Sequence, residues 1–283
     1  MQSYFSERGE TDVSMFTDLA VERRRADTEL PGVEYRRVRA RSGYWEEVYI
    51  GSEIGARSIG RPRGRYDTLC LGKMELLSEG GIEDATEDVA RKLCEIFDKS
   101  DISPMKLLIV GLGNPKLTPD SVGPRTAERI YATMHIKNRD EDFFDGLLCS
   151  EISVIAPGVS SQSGIDTFDY VSGVCEKVRP DAVIAVDSIA ARDALRLGST
   201  VQISDTGIFP GSGVGNLTKG LTAETLGAPV IAVGVPTVID SRHFAPDQKG
   251  GAMFVSPREI DGIADTAARI IGGAINQAFG LFE

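Results

Sequence analysis

Two aspartates and one glycine-rich loop carry most of the chemical promise of this chain. Asp187 directly follows Val183-Ile184-Ala185-Val186, an apolar run of the kind found in strands buried on both faces. A carboxylate at that position is costly to bury alone, so it reads as a functional group or a firmly held cap. Asp120 lies in Thr118-Pro119-Asp120-Ser121-Val122-Gly123-Pro124, shortly after Leu107-Leu108-Ile109-Val110 and Gly111-Leu112-Gly113-Asn114. Near the start of a following helix, Asp120 would either cap that helix or face a ligand. The third feature is the stretch Ser204–Asn216, with glycines at 207, 211, 213 and 215. Such a loop exposes backbone N–H groups that bind phosphates, carboxylates or oxyanions.

Together these pieces define a reaction class. Two carboxyls at neighbouring strand ends share one proton, because like charges a few ångströms apart resist joint ionisation. The ionised member takes a proton from water as the water attacks a carbonyl, and the protonated member donates to the oxygen or the leaving amine. That is peptide or amide hydrolysis without a metal. Gly113, Asn114, Gly211, Ser212, Gly213, Gly215 and Asn216 are the groups expected to hold the substrate backbone or the oxyanion. The loop is no dinucleotide fingerprint, since Gly-Ser-Gly-Val-Gly-Asn lacks a clean helix after it.

Composition narrows the rest. The two histidines, His135 and His243, stand apart, and the four cysteines form no CxxC pair, so no metal or other cofactor is expected. A net charge of −11 argues against direct nucleic-acid binding. No apolar run reaches the roughly 18 residues that span a bilayer, and residues 1–10 lack a signal-peptide layout, so a cytoplasmic protein without membrane contact is expected. Residues 19–66 carry eleven arginines against seven acids, behind a leader of four acids and one arginine over residues 1–18. That band reads as a solvated or intersubunit surface, or a patch for acidic substrates.

The elements that position these groups are legible as periodicity. Met1–Asp18 is polar and aperiodic and reads as a flexible extension. Trp45–Ile50 and Tyr66–Leu71 are strand-like, and Glu83–Lys99 is helical with Ile82, Val89, Leu93 and Ile96 on one face. From Lys106 onward, apolar runs at 107–110, 152–156, 182–186, 200–203 and 230–235 alternate with helices expected at 124–134, 165–178, 190–197, 221–226 and 256–279. Alternation of this kind implies a three-layer α/β/α domain with a mostly parallel central sheet. The chain divides into a leader (1–18), an Arg-rich part (19–105) and a catalytic sheet (106–283), the last two forming one domain.

Several blocks resemble the germination protease family of endospore-forming bacteria: Gly111–Asn114 with Thr118–Asp120 and Gly123-Pro124, Ser153–Val159, Ala185–Ala190, Ile203–Asn216, Gly220–Thr222 and Ile231–Asp240. Gly111–Pro115 also matches a signature of peptidyl-tRNA hydrolase, but here His135 is followed by Ile136 where that enzyme's block has Asn. The resemblance implies an atypical aspartic endopeptidase, with Asp120 and Asp187 at the catalytic positions and a fold similar to that of hydrogenase maturation endopeptidases. It further implies a homo-oligomer, a tetramer, in the spore core that degrades small acid-soluble spore proteins at germination. The family is made as a zymogen, and Thr17-Asp18-Leu19-Ala20-Val21-Glu22 looks like its substrate pattern, which puts a self-cleavage site between Asp18 and Leu19. Asp166 stands where the family is expected to have Glu.

Overall fold

The apolar runs become strands of one nine-stranded sheet in the computed structural model, which describes residues 17–23, 30–99, 106–211, 219–244 and 253–280. The strands are β1 (Val33–Arg39), β2 (Tyr44–Ile50), β3 (Gly64–Cys70), β4 (Lys106–Gly111), β5 (Glu151–Ile155), β6 (Ala182–Ala191), β7 (Thr200–Ser204), β8 (Val230–Asp240) and β9 (Phe254–Val255). Their order is β1-β2-β3-β7-β8-β6-β4-β5, with β9 pairing β8. The helices are α1 (Ala20–Arg23), α2 (Glu53–Ile59), α3 (Glu79–Lys99), α4 (Val122–Ala127), α5 (Met134–Lys137), α6 (Glu141–Gly146), α7 (Ser160–Ser163), α8 (Thr167–Val178), α9 (Ala223–Leu226) and α10 (Ile260–Phe279).

The three-layer α/β/α architecture stands, but the sheet is mixed, and the expected parallel pairing is confined to four strands. β5, β4, β6 and β8 pair in parallel, while the pairings from β1 through β7 to β8, and β9 on β8, are antiparallel. The physical reason is partly linkage. The turn from β1 to β2 spans only residues 40–43, too short for the crossover that parallel neighbours need. The unforeseen β1 is an edge strand whose arginines face solvent, a common way to protect an open edge.

One face of the sheet is covered by α3, α4 and α10, packed on Leu107, Ile109, Ile184, Val186 and Val233. The other face carries two separate clusters. α8 packs Phe168 and Val171 on Leu108, Val110, Val183 and Ala185. α1 and α2 contribute Ala20 and Ile59, which pack with Leu19, Ile50, Tyr66, Ile189 and Ala191. Asp166 caps α8 by accepting from Phe168 N.

Two expected helices are shorter or absent. The one anticipated over 124–134 is only Val122–Ala127, because Thr133 is tied to the sheet. Its Oγ1 donates to Ser150 O at 2.6 Å and accepts from Ile152 N at 2.8 Å. Where a helix was expected over 190–197, β6 instead runs on to Ala191 against β8, and only a 3₁₀ turn at Ala194–Arg196 remains.

Close backbone approach fixes the loop that carries Asp120. A Cβ at Gly123 would meet Leu112 O at 2.2 Å and Val186 O at 2.5 Å, and one at Gly111 would meet Gly123 O at 2.3 Å. Backbone cannot yield as a flexible side chain would. Gly123→Ala should therefore destabilise the chain by roughly 1–3 kcal/mol through overpacking. A lowered urea midpoint at unchanged m-value checks this, and an unchanged midpoint refutes the tight contact.

Candidate active site

Alternation along β6 sets one carboxylate apart. Val183 and Ala185 lie in the cluster under α8, while Ile189 and Ala191 lie in the cluster of α1 and α2. Asp187 projects from the same face between them, where the helical cover parts. The sequence reading placed Asp187 at the end of a strand. The strand in fact continues four residues further, and what ends at Asp187 is the apolar cover. A cleft of about 470 Å³ opens there, lined by Asp120, Asp187, Ser188, Gln202 and Gly234 among others. Register places the polar groups: Asp187 pairs with Gly234, and Gly234 with Gln202, while the Ile189 side chain packs over Gly234. The residue between the two polar side chains thus has no side chain of its own.

Asp120 reaches the same cleft from the loop after β4. It closes a 3₁₀ turn, Thr118–Asp120, held to β8 by Thr237 Oγ1 donating to Pro119 O at 2.6 Å. Asp120 does not cap the next helix, whose N-cap residue is Ser121. Its Oδ2 accepts instead from Asn114 N at 2.9 Å. Gly113, at φ +114°, permits that loop to fold against Asp120, since a Cβ there would meet Asp120 O at 2.1 Å. Ser188 lies between the two segments that carry the aspartates: Val122 N donates to its Oγ at 3.3 Å, and its backbone N–H donates to Asp187 Oδ1 at 2.8 Å.

Electrostatics separates the pair. Burial drives the Asp187 carboxyl well above the usual carboxylate range, and repulsion from Asp120 and, less, Asp18 adds to it. The Ser188 N–H opposes that rise. Burial also raises Asp120, opposed by the Asn114 N–H. The better-buried Asp187 is therefore the one to hold a proton while Asp120 ionises.

The other expected groups fall differently. Gly113 and Gly211 line the cleft, whereas Ser212, Gly213, Gly215 and Asn216 lie outside the described residues. Asn114 does not line it: its N–H serves Asp120, and its Oδ1 accepts from Gln162 Nε2 at 2.7 Å and Lys116 N at 3.0 Å. Asp18 corrects the reading of a flexible extension up to residue 18. It is docked in the cleft, its N donating to Ala190 O at 2.9 Å, with Leu19 fully buried beside it. Sequence reasoning missed Arg61 and Gln202. The only local signal was an amide between Val201 and Ile203 in an otherwise apolar strand. Among the described residues, no three His, Cys, Asp or Glu side chains gather as a metal site would need.

Comparison with known proteins gives consistent relatives. A family model described as germination protease matches residues 14–249. The germination protease of Clostridium acetobutylicum is 34% identical over 311 aligned residues, covering 94% of this chain and 95% of that protein. That of Caldanaerobacter subterraneus subsp. tengcongensis is 41% identical over 237, covering 82% and 71%. That of Priestia megaterium is 44% identical over 200, covering 69% and 53%. Among solved structures, the [NiFe] hydrogenase maturation protease HycI from Thermococcus kodakarensis KOD1 is similar at TM-score 0.36 and 19% identity, covering 63% of this chain and 99% of that one.

The buried carboxyl has a thermodynamic signature. A raised native value means the folded chain keeps a proton that the unfolded chain releases near pH 4. Stability must then fall as pH rises from that point toward the raised value. Asp187→Asn removes this loss while retaining an acceptor for Ser188 N–H. Its urea midpoint should exceed that of the parent at pH 7, with the gap closing toward pH 4. Equal midpoints at pH 7 would mean that Asp187 carries no such penalty.

Proposed function

The chain belongs to the germination protease family, and from that premise we propose an endopeptidase whose acid and base are Asp187 and Asp120. Family membership makes it a peptidase with a role in spore germination. The observation that supports the mechanism is one cleft lined by two carboxyls that burial raises, with repulsion from Asp120 raising Asp187 further. Asp120, ionised, takes a proton from water as the water oxygen attacks the scissile carbonyl carbon. Asp187, protonated, gives its proton to the carbonyl oxygen. Asp120 then passes its proton to the leaving nitrogen as the C–N bond breaks. Asp187 regains a proton from the tetrahedral diol as the C=O reforms. All four proton transfers run on carboxyls, so the proposed mechanism uses no metal or other cofactor.

The proposed substrates are small acid-soluble spore proteins, lying extended along the cleft past the loop that contains Gly211. We further propose that the chain is a zymogen, cut by itself between Asp18 and Leu19, and that it works as a homotetramer in the spore core. Asp18 lines the cleft, and Leu19 packs beside it on Ile189 and Ala191 of the strand that carries Asp187, which supports that site.

Asp120→Asn and Asp187→Asn should each lower kcat for a spore-protein substrate by roughly 10²–10⁴-fold, with circular dichroism unchanged and parental activity insensitive to EDTA. Near-parental turnover by either folded variant would remove that residue from the chemistry. Activity lost to EDTA and restored by one added metal would end the carboxyl-only mechanism.

Maturation has its own readout. Mass spectrometry of the full chain held at mildly acid pH should reveal a new N-terminus at Leu19. The Asp187→Asn chain should remain intact. Trimming of that variant at the same bond in its own purified preparation would sink self-cleavage.

A further inference from the structure

The segment before α1 is tied to β6 beyond Asp187 by one backbone hydrogen bond and one side-chain hydrogen bond. Asp18 N donates to Ala190 O at 2.9 Å, and Ala190 N donates back to the Asp18 carboxylate, Oδ2, at 3.0 Å. Arg61 Nη2 donates to the other carboxylate oxygen at 3.1 Å and to Thr17 O at 2.7 Å. Both side chains of that ion pair are largely buried, at 16% and 13% exposure, so solvent screens it less than a surface pair. Arg61 Nε is buried and has no hydrogen-bond partner among the described residues. It is a donor left over after Asp18 is bound.

The backbone on either side of Asp18 is held by a single side chain. Gln202 Nε2 donates to Asp18 O at 3.2 Å, and its Oε1 accepts from Ala20 N at 2.9 Å. The carboxamide therefore brackets the Asp18–Leu19 peptide bond, gripping the carbonyl at its start and the N–H of the residue beyond. It does so across Gly234 from Asp187. A carboxamide that bonds main-chain groups holds the backbone, whatever the side chains. The guanidinium and the Ala190 N–H, by contrast, read a negative side chain.

We propose that Arg61, the Ala190 N–H and Gln202 form the subsite that recognises the acidic residue before the scissile bond and aligns that bond with Asp187, with Asp18 its resident occupant. Arg61 determines specificity, and Gln202 is a positioning residue. The proposal rests on the reading of self-cleavage after Asp18. Under it, release of residues 1–18 vacates the acidic cradle, and an incoming peptide presents Asp or Glu in the same place.

The test compares peptides that differ only in Glu, Asp or Gln before the cut, digested by the parental protein and by Arg61→Gln, each after processing to Leu19. The parent should favour the acidic peptides over the Gln peptide by about tenfold or more in kcat/KM, the scale of a charge-assisted hydrogen bond. In Arg61→Gln that ratio should collapse to within about threefold, an effect that general loss of structure would not produce. A ratio that survives the substitution overturns the subsite and leaves the self-cleavage reading intact. A parent that shows no preference for acid overturns both. Should Arg61→Gln not fold, full chains carrying Asp18→Glu or Asp18→Asn decide by mass spectrometry. Self-cleavage at least about tenfold slower in the Asn chain supports the subsite, and equal rates refute it.

Discussion

A carboxyl held in the middle of a sheet, between two apolar clusters that do not meet, is the constraint on which the rest of this structure depends. Asp187 is almost fully buried, and the one hydrogen bond described to its carboxyl is from its own neighbour's N–H at Ser188. Burial without a cation partner favours the neutral form, so the site acquires a proton store from packing alone. The gap between α8 and the α1–α2 cluster, the glycine at 234 and the second carboxyl at Asp120 all surround that position. Filling the gap would complete the core and remove the cleft.

The antiparallel half of the sheet belongs to the site as much as the parallel half does. It contributes Gln202 from β7, and Arg61 precedes β3. That half is locked to α3 by a buried lysine: Lys92 Nζ lies 2.6 Å from Glu47, 2.9 Å from Glu95 and 3.5 Å from Asp67. Loss of that cation would leave the buried Glu47 and Asp67 with only Arg36 and Arg65 as the ion-pair partners described for them. The arginine band of residues 19–66 resolves in the same terms. Arg36, Arg41 and Arg65 pair with acids of β2, α3 and β3, whereas Arg61 turns into the cleft.

What the sequence revealed divides by the range of the interactions. The strands of the parallel half were legible because burial on both faces demands continuous apolar runs, as in Leu107–Val110 and Val183–Val186. Asp187 stood out because a charge that ends such a run is anomalous, whereas Asp120 lies well past its run, open between a cap and a ligand contact, and only the family resemblance pointed to it. β1 was not legible, since an edge strand solvated on one side carries Arg36, Arg37 and Arg39 and looks like a loop. Nor was the grip on Asp18. Gln202 lies 184 positions away in the chain, and Arg61 lies 43 away, so no local pattern could join them. The helix expected at 190–197 failed for the same reason. Its residues favour a helix locally, and pairing of β6 with β8 overrode them.

The docked segment is anchored on both sides of the Asp18–Leu19 bond. Upstream lie the contacts of Asp18. Downstream, Leu19 and Ala20 are wholly buried, and the Glu22 carboxylate accepts from Arg192 N at 2.7 Å and Asp193 N at 2.9 Å. The bond and the carboxyls therefore share one molecule and need no encounter. Reaction at that bond within a single chain is first order in protein, with a half-life that dilution does not change. The downstream side remains part of the core, so each molecule would keep one half of its first product as permanent structure.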